Sequence, residues 1–250
     1  KIFKSLLLEL NHLMNINYNH YDIAHIIIDK CIVSDKIYYK FPFQLNKIDN
    51  IKVDFKLICS PKKFNINIRE KFNKININIR NFFCTSYTKT SYYLNKFNYE
   101  NISFLEIGFN KTTITIYENN NLKVIYSIPI GSFNITKDIS KIFKISIQEA
   151  DQIKKLFSKS ETEFSYDDTQ KYNSLSTNII LNKNISINTL KKVILYRIQE
   201  IFDLTFTKSN ISKYNLKLNN SNLFLIGEGS RLFNNNSFFL EDKFGYKSIK

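Results

Sequence analysis

The strongest constraint on the fold is a pair of apolar strands that each run into a glycine turn. The first, "SFLEIG", ends at Gly108; the second, "NLFLIG", ends at Gly227 and continues as Glu228, Gly229 and Ser230. Glycine at the carboxyl end of a strand lets the backbone come close to a ligand, and a helix start just beyond it offers unpaired N–H groups to an anion. Each turn taken alone also reads as a plain strand-to-helix connection. The segment "EIGFNKTTITIY" adds the outline of a phosphate-binding hairpin, with small polar residues and Lys111 at the bend.

Between the two turns the hydrophobic period changes. "TTITIYENNNLKVIYSIPIG" alternates as a hairpin with an Asn-rich turn, and "NITKDISKIFKI" predicts a helix entered at Thr136. "SIQEADQIKKLFSK" predicts a second helix, with Ser146 as N-cap and Glu149 three residues on as a capping box. "ETEFSYDDTQKYNSLSTN" is polar and reads as a long loop. The longest helical pattern follows, with Leu190, Val193, Ile194, Ile198, Ile201 and Phe202 at three- and four-residue spacing.

Upstream, up to about Tyr93, a small α+β unit is expected. "KIFKSLLLELNHLM" has a helix-like stripe, although it also reads as the end of a strand. "NHYDIAHIIIDKCI" predicts a helix capped by Asp22, with Ile23, Ile26 and Ile27 on one face. "KIYYKFPFQL" and "IKVDFKLIC" predict strands; a helix is expected to start at Ser60–Pro61, and "NINIRNFFC" predicts a further strand.

Composition narrows the functions. At 43% hydrophobic the chain can fill a core, so it is globular despite runs such as "NNNSFF". The formal charge of +14 points to an anionic partner, but the Ile, Asn and Lys bias is uniform along the chain, as a nucleotide skew would make it. No basic block reaches the density of a nucleic-acid arm, so no nucleic-acid partner is expected. Cys31, Cys59 and Cys84 are widely spaced with no C-x-x-C pair, which argues against a disulfide framework and a zinc site and fits a reducing compartment. His20 and His25 are off the spacing that would put two imidazoles on one helix face. No stretch approaches the roughly 18 uninterrupted apolar residues of a membrane helix. The chain does not begin with Met, so residues are expected upstream.

Five blocks in order carry a family resemblance: "EIGFNKTTITIY", "IPIGSFNITKDIS", "SIQEADQIK", "YRIQEIFDL" and "LFLIGEGSRL". As a set they resemble the second half of FtsA, the actin-like bacterial cell-division protein. "KIYYKFPFQL" and "VDFKLICSP" resemble parts of that family's inserted interaction subdomain, which extends the likeness over about residues 20–235. The resemblance implies an α/β fold, with an actin-like (ribonuclease H-like) second half preceded by a small α+β insert. Residues 1–21 would end the N-terminal actin-like subdomain, and 22–93 form the insert. Residues 94–250 form the second half, its core at 94–145 and 190–250 and a smaller FtsZ-facing subdomain at 146–189.

By resemblance, Gly108, Asn110, Lys111 and Thr112 line the second phosphate hairpin, and Glu106 takes the place of its magnesium-side Asp. Asp151 and Lys154 match the pair that holds the ribose hydroxyls, and Gly227, Gly229 and Ser230 match the adenosine turn. ATP and magnesium are the cofactors implied. The departures weaken the site. Phe109 and Asn110 put Cβ atoms where two glycines let the backbone reach phosphate. Glu at 106 is a methylene longer than Asp, and octahedral magnesium tolerates little displacement. Glu228 adds a negative charge to the adenosine turn. The family's first phosphate loop and its terminal amphipathic helix are not in this chain, so a chain incomplete at both ends is expected, unable to close an ATP site by itself.

The function so implied is a division scaffold on the cytoplasmic face of the inner membrane. It would bind the FtsZ tail, associate with itself and recruit later division proteins, touching an anionic membrane surface indirectly and acting at most as a weak ATPase. The other readings are an active ATP-dependent polymerising actin-like protein and another FtsA-related assembly protein, such as a pilus-assembly partner.

Overall fold

The computed structural model describes residues 2–43, 50–97, 99–159, 182–208, 222–233 and 248–249. They form two compact units, Lys1–Thr88 and Lys89–Lys250.

The first unit opens with helix α1 (Ile2–Asn17), which bears the predicted stripe. A three-stranded antiparallel sheet follows, ordered β2-β1-β3, from β1 (Tyr21–Val33), β2 (Lys36–Tyr38) and β3 (Ile51–Pro61). The helix predicted from "DIAHIIIDKCI" is thus a strand. Its isoleucines are stiff at χ1 and favour the pleated surface, and β3 offers a partner along the whole of β1. Register shifts between Ile23 and His25 and between Ile28 and Lys30 place Ala24 and Asp29 outside the one-to-one pairing. Asp29 Oδ1 meets Lys56 Nζ at 2.7 Å. Asp22 caps no helix; its Oδ2 accepts from Asn65 Nδ2 at 2.9 Å.

The strand predicted over "KIYYKFPFQL" is confined to β2, with Gln44 and Leu45 outside the described residues. Ser34 and Asp35, at φ 46° and 63°, form the two-residue turn from β1, whose positive φ angles match the twist of a hairpin. Helix α2 (Lys62–Asn73) begins one residue later than predicted, with Pro61 as its N-cap. Ser60 accepts through Oγ from Asn65 Nδ2 at 2.7 Å instead of capping the helix.

"NINIRNFFC" forms no strand. Its backbone groups are held by side chains: Arg69 Nη1 donates to the Ile79 carbonyl at 2.7 Å, and the Cys84 N–H donates to His25 Nε2 at 2.8 Å. Burial lowers the His25 pKa, in keeping with a neutral ring that accepts. Helix α3 (Thr85–Lys96) follows and has no counterpart among the elements predicted from sequence.

The second unit is built on a five-stranded sheet ordered β6-β5-β4-β7-β8. Strands β4 (Ile102–Ile107), β5 (Thr112–Glu118) and β6 (Asn121–Ile128) are antiparallel; β7 (Asn222–Ile226) and β8 (Ser248–Ile249) run parallel to β4. The mixed α/β class expected from sequence is the one observed. Helices α4 (Ser132–Phe143), α5 (Ile147–Lys159) and α6 (Ile187–Lys208) contribute with the sheet to one core, where Leu105, Ile107 and Ile114 meet Ile135, Ile153 and Leu190. Phe104 of β4 packs edge-on to Tyr117 and lies 5.7 Å from Phe224, on which Phe97 stacks at 4.4 Å. The α6 residues Leu190, Ile194, Ile198, Ile201 and Phe202 are buried as their spacing predicts, while Val193 is partly buried. The loop expected around 161–178 lies outside the described residues.

Candidate functional site

The parallel pairing of β4 and β7 brings the two glycine turns side by side. Glu106 is in register with Ile226, so Gly108 and Gly227 leave the sheet next to each other. Their contact point is Ile107. A Cβ on Gly227, which sits at φ 89°, would lie 2.6 Å from the Ile107 carbonyl oxygen, and one on Gly229 would lie 2.5 Å from Ile107 Cγ2. These glycines are therefore required by strand-end packing, whatever else they contact.

The hairpin after β4 is tied down from inside. The Gly108 N–H donates to the Lys111 carbonyl at 2.9 Å, and buried Thr112 donates through Oγ1 to the Ile130 carbonyl at 2.8 Å. Phe109, 57% exposed, stacks on Phe133 at 4.6 Å, and Lys137 Nζ lies over the Phe133 ring.

Helix α4 starts at Ser132, four residues before the predicted Thr136, because the hairpin supplies its cap. The N–H groups of Ser132 and Phe133 donate to the carbonyls of Gly108 and Phe109, both at 2.9 Å. The Gly131 N–H donates to Asn134 Oδ1 at 3.1 Å. A Cβ on Gly131 would lie 2.5 Å from the Phe109 oxygen. Two of the donors a helix start can offer to an anion are thus occupied by the chain's own carbonyls.

Helix α5 opens with the predicted capping box: the Ser146 N–H donates to Glu149 Oε2 at 2.8 Å, and the Glu149 N–H donates to Ser146 Oγ at 3.2 Å. The backbone N–H of Ser146, with its hydroxyl, holds the Glu149 carboxyl below its ordinary pKa. On the next turn Asp151 receives two lysines, Lys154 at 2.9 Å and Lys155 at 2.7 Å. Partial burial opposes the Asp151 charge, but the hydrogen bonds from Lys155 and Lys154 outweigh it and its pKa is lowered. Lys154 is buried and donates to Thr136 Oγ1 at 2.7 Å, joining α5 to α4. Helix α5 also packs on the 3₁₀ turn Glu228–Phe233, which stands where an α-helix start is expected. In that turn Ser230 donates through both N–H and Oγ to the Gly227 carbonyl.

Glu106 is met by Lys89 of α3, Nζ to Oε1 at 2.5 Å. Magnesium beside a nucleotide is held by one or two carboxylates together with the phosphates, and this carboxylate is already paired with an ammonium, which makes it a poor match. Among the described residues no group of three or more His, Cys, Asp or Glu side chains could hold a metal ion.

The fold therefore gathers the residues named from sequence around the carboxyl ends of β4 and β7. Most of their side chains are used within the protein, with Lys111 exposed on the hairpin. Sequence reasoning missed Lys89, Thr136 as the partner of Lys154, and the pair formed by Asp138 on α4 and Arg197 on α6. Asp138 and Arg197 both stand in the blocks that carry the family resemblance, where opposite charges were the available signal; nothing in the sequence singles out Lys89.

Known proteins share this architecture. The chain aligns over its 99% with 62% of a chain of a PilM–PilN type IV pilus biogenesis complex, at a TM-score of 0.62 and 10% identity. MreB5 of Spiroplasma citri, bound to AMPPNP, aligns with 76% of this chain over 60% of its own, at a TM-score of 0.52 and 14% identity. Both likenesses establish an actin-like fold. The cell division protein FtsA of Bacillus subtilis (strain 168) is 41% identical over 54 residues, 22% of this chain and 12% of that protein. The chain thus spans less than two thirds of each of these relatives. No described helix is long and apolar enough to cross a membrane. The model of the family "Cell division protein FtsA" matches residues 104–243, more than half of the 250 residues. The chain belongs to the FtsA family.

Proposed function

We propose that this protein is a division scaffold that links FtsZ filaments to the cytoplasmic face of the membrane and recruits later division proteins, with a degenerate nucleotide site. The family match carries this reading, because it falls on the unit that holds the sheet and both glycine turns. The state of the turns supports the second half of it. Ser230, Thr112 and Lys154 use their polar groups on the chain itself, and Gly108 and Phe109 close the start of α4. In this reading Gly108, Asn110, Lys111, Thr112, Gly227, Gly229 and Ser230 keep the shape of a phosphate and adenosine cradle, with Asp151 and Lys154 beside it. The strongly basic chain suits an acidic tail peptide or an anionic lipid surface. Self-association into filaments belongs to the same proposal.

The test is a titration of the full chain with a labelled FtsZ C-terminal tail peptide, with and without ATP. Saturable binding that ATP leaves unchanged is the expected result; a folded chain that ignores the peptide overturns it. The second reading, an ATP-dependent polymerising protein, draws on the survival of Asp151 and Lys154 at 2.9 Å. ATP-dependent sedimentation of filaments would favour it.

A further inference from the structure

We infer that Lys89 stands in for the divalent cation at the β4 hairpin, so that a nucleoside polyphosphate reaching this hairpin is met by lysine ammonium groups and not through magnesium. The inference rests on the reading of this hairpin as a remnant phosphate site.

Three observations carry it. The Lys89 ammonium lies 2.5 Å from Glu106 Oε1, the carboxylate at the carboxyl end of β4. The Glu106 side chain is only 17% exposed, whereas that of Lys89 is 49% exposed. The positive charge thus faces solvent while the negative charge it neutralises is largely covered. Second, magnesium beside a nucleotide is held by one or two carboxylates together with the phosphates, and Lys89 occupies the Glu106 carboxylate that would serve. Third, the hairpin bears another ammonium, on exposed Lys111, three residues beyond Gly108. A carboxylate so placed repels phosphate unless a cation intervenes, and a lysine is a compact, strongly hydrated cation suited to phosphate as a point charge.

A covalently attached cation differs from a bound one in a measurable way, because chelators do not remove it. The probe is fluorescently labelled ATP, titrated into the full chain in EDTA and again in magnesium. Wild type is expected to bind with affinities that agree within about twofold. Lys89→Gln, which loses the charge and keeps a polar end, is expected to bind about tenfold more weakly in EDTA, the scale of one charged hydrogen bond, and to regain affinity with magnesium. Lys89→Arg is expected to keep the wild-type pattern. Wild-type affinity that rises tenfold or more with magnesium overturns the inference, as does a Lys89→Gln variant unchanged in EDTA. Absence of ATP binding in both buffers overturns it too. The FtsZ-peptide titration on the same preparation then reports separately on the scaffold reading.

Discussion

Arg197 on α6 grips Asp138 on α4 through two parallel hydrogen bonds, Nε to Oδ2 at 2.5 Å and Nη2 to Oδ1 at 2.9 Å. Both side chains are about three-quarters covered, and the guanidinium also reaches Glu200. The hydrogen bond to Asp138 raises the Arg197 pKa against the opposing effect of burial. Asp138→Ala leaves this guanidinium partly buried without its bidentate partner, and is expected to destabilise the unit by about 1–3 kcal/mol. Arg197→Lys should recover little of the loss, since a point charge cannot make both bonds. Urea unfolding curves of the two variants check this.

Gly227 combines positive φ with a backbone atom in the way of any side chain. Gly227→Ala is expected to cost more than about 2 kcal/mol, the left-handed conformation contributing roughly 1–2 and the contact with Ile107 the rest. Gly108→Ala, whose added carbon would meet the Lys111 oxygen at 3.0 Å without a positive φ, should cost less. Thermal melts of the two variants give the ranking, and equal losses would overturn it.

Asp151 makes stability depend on pH in a definite direction. Its folded pKa lies below the ordinary 3.8, so the unfolded chain takes up a proton first as pH falls. The contribution is fully present above 3.8 and is lost as pH drops through the lower folded value. Asp151→Asn is therefore expected to be less stable than wild type at neutral pH, with the gap closing in acid. Denaturant midpoints across the pH range test the sign.

Ser146→Ala removes one half of the capping box of α5. A loss of about 1 kcal/mol is expected, felt first in the opening turn of the helix. Hydrogen exchange at Glu149 and Ala150 should quicken while exchange in β5 does not.

The second unit was legible because its signals are local and agree with one another. Ser146 and Glu149 cap α5 from within three residues, and the α6 spacing needs only its own period. The first unit misled where tertiary partners decide. The isoleucines of β1 satisfy a helix face as well as a strand, and only β3, some thirty residues away, selects the strand. "NINIRNFFC" alternates like a strand, but Arg69 and His25 take its backbone groups. At the candidate site the positions of the turns were legible, because glycine after an apolar strand is a sequence feature. Their use was not, since that depends on Ile107, Lys89 and the carbonyls of Gly108 and Phe109.

The two carbonyls that close the start of α4 make the hairpin and the helix one mechanical piece. The hairpin cannot shift away without breaking the bonds to Ser132 and Phe133, or else drawing α4 along. Asp138 and Arg197 bond the same piece onward to α6, so hydrogen bonds and the body of α4 connect the turn at Gly108 with that helix.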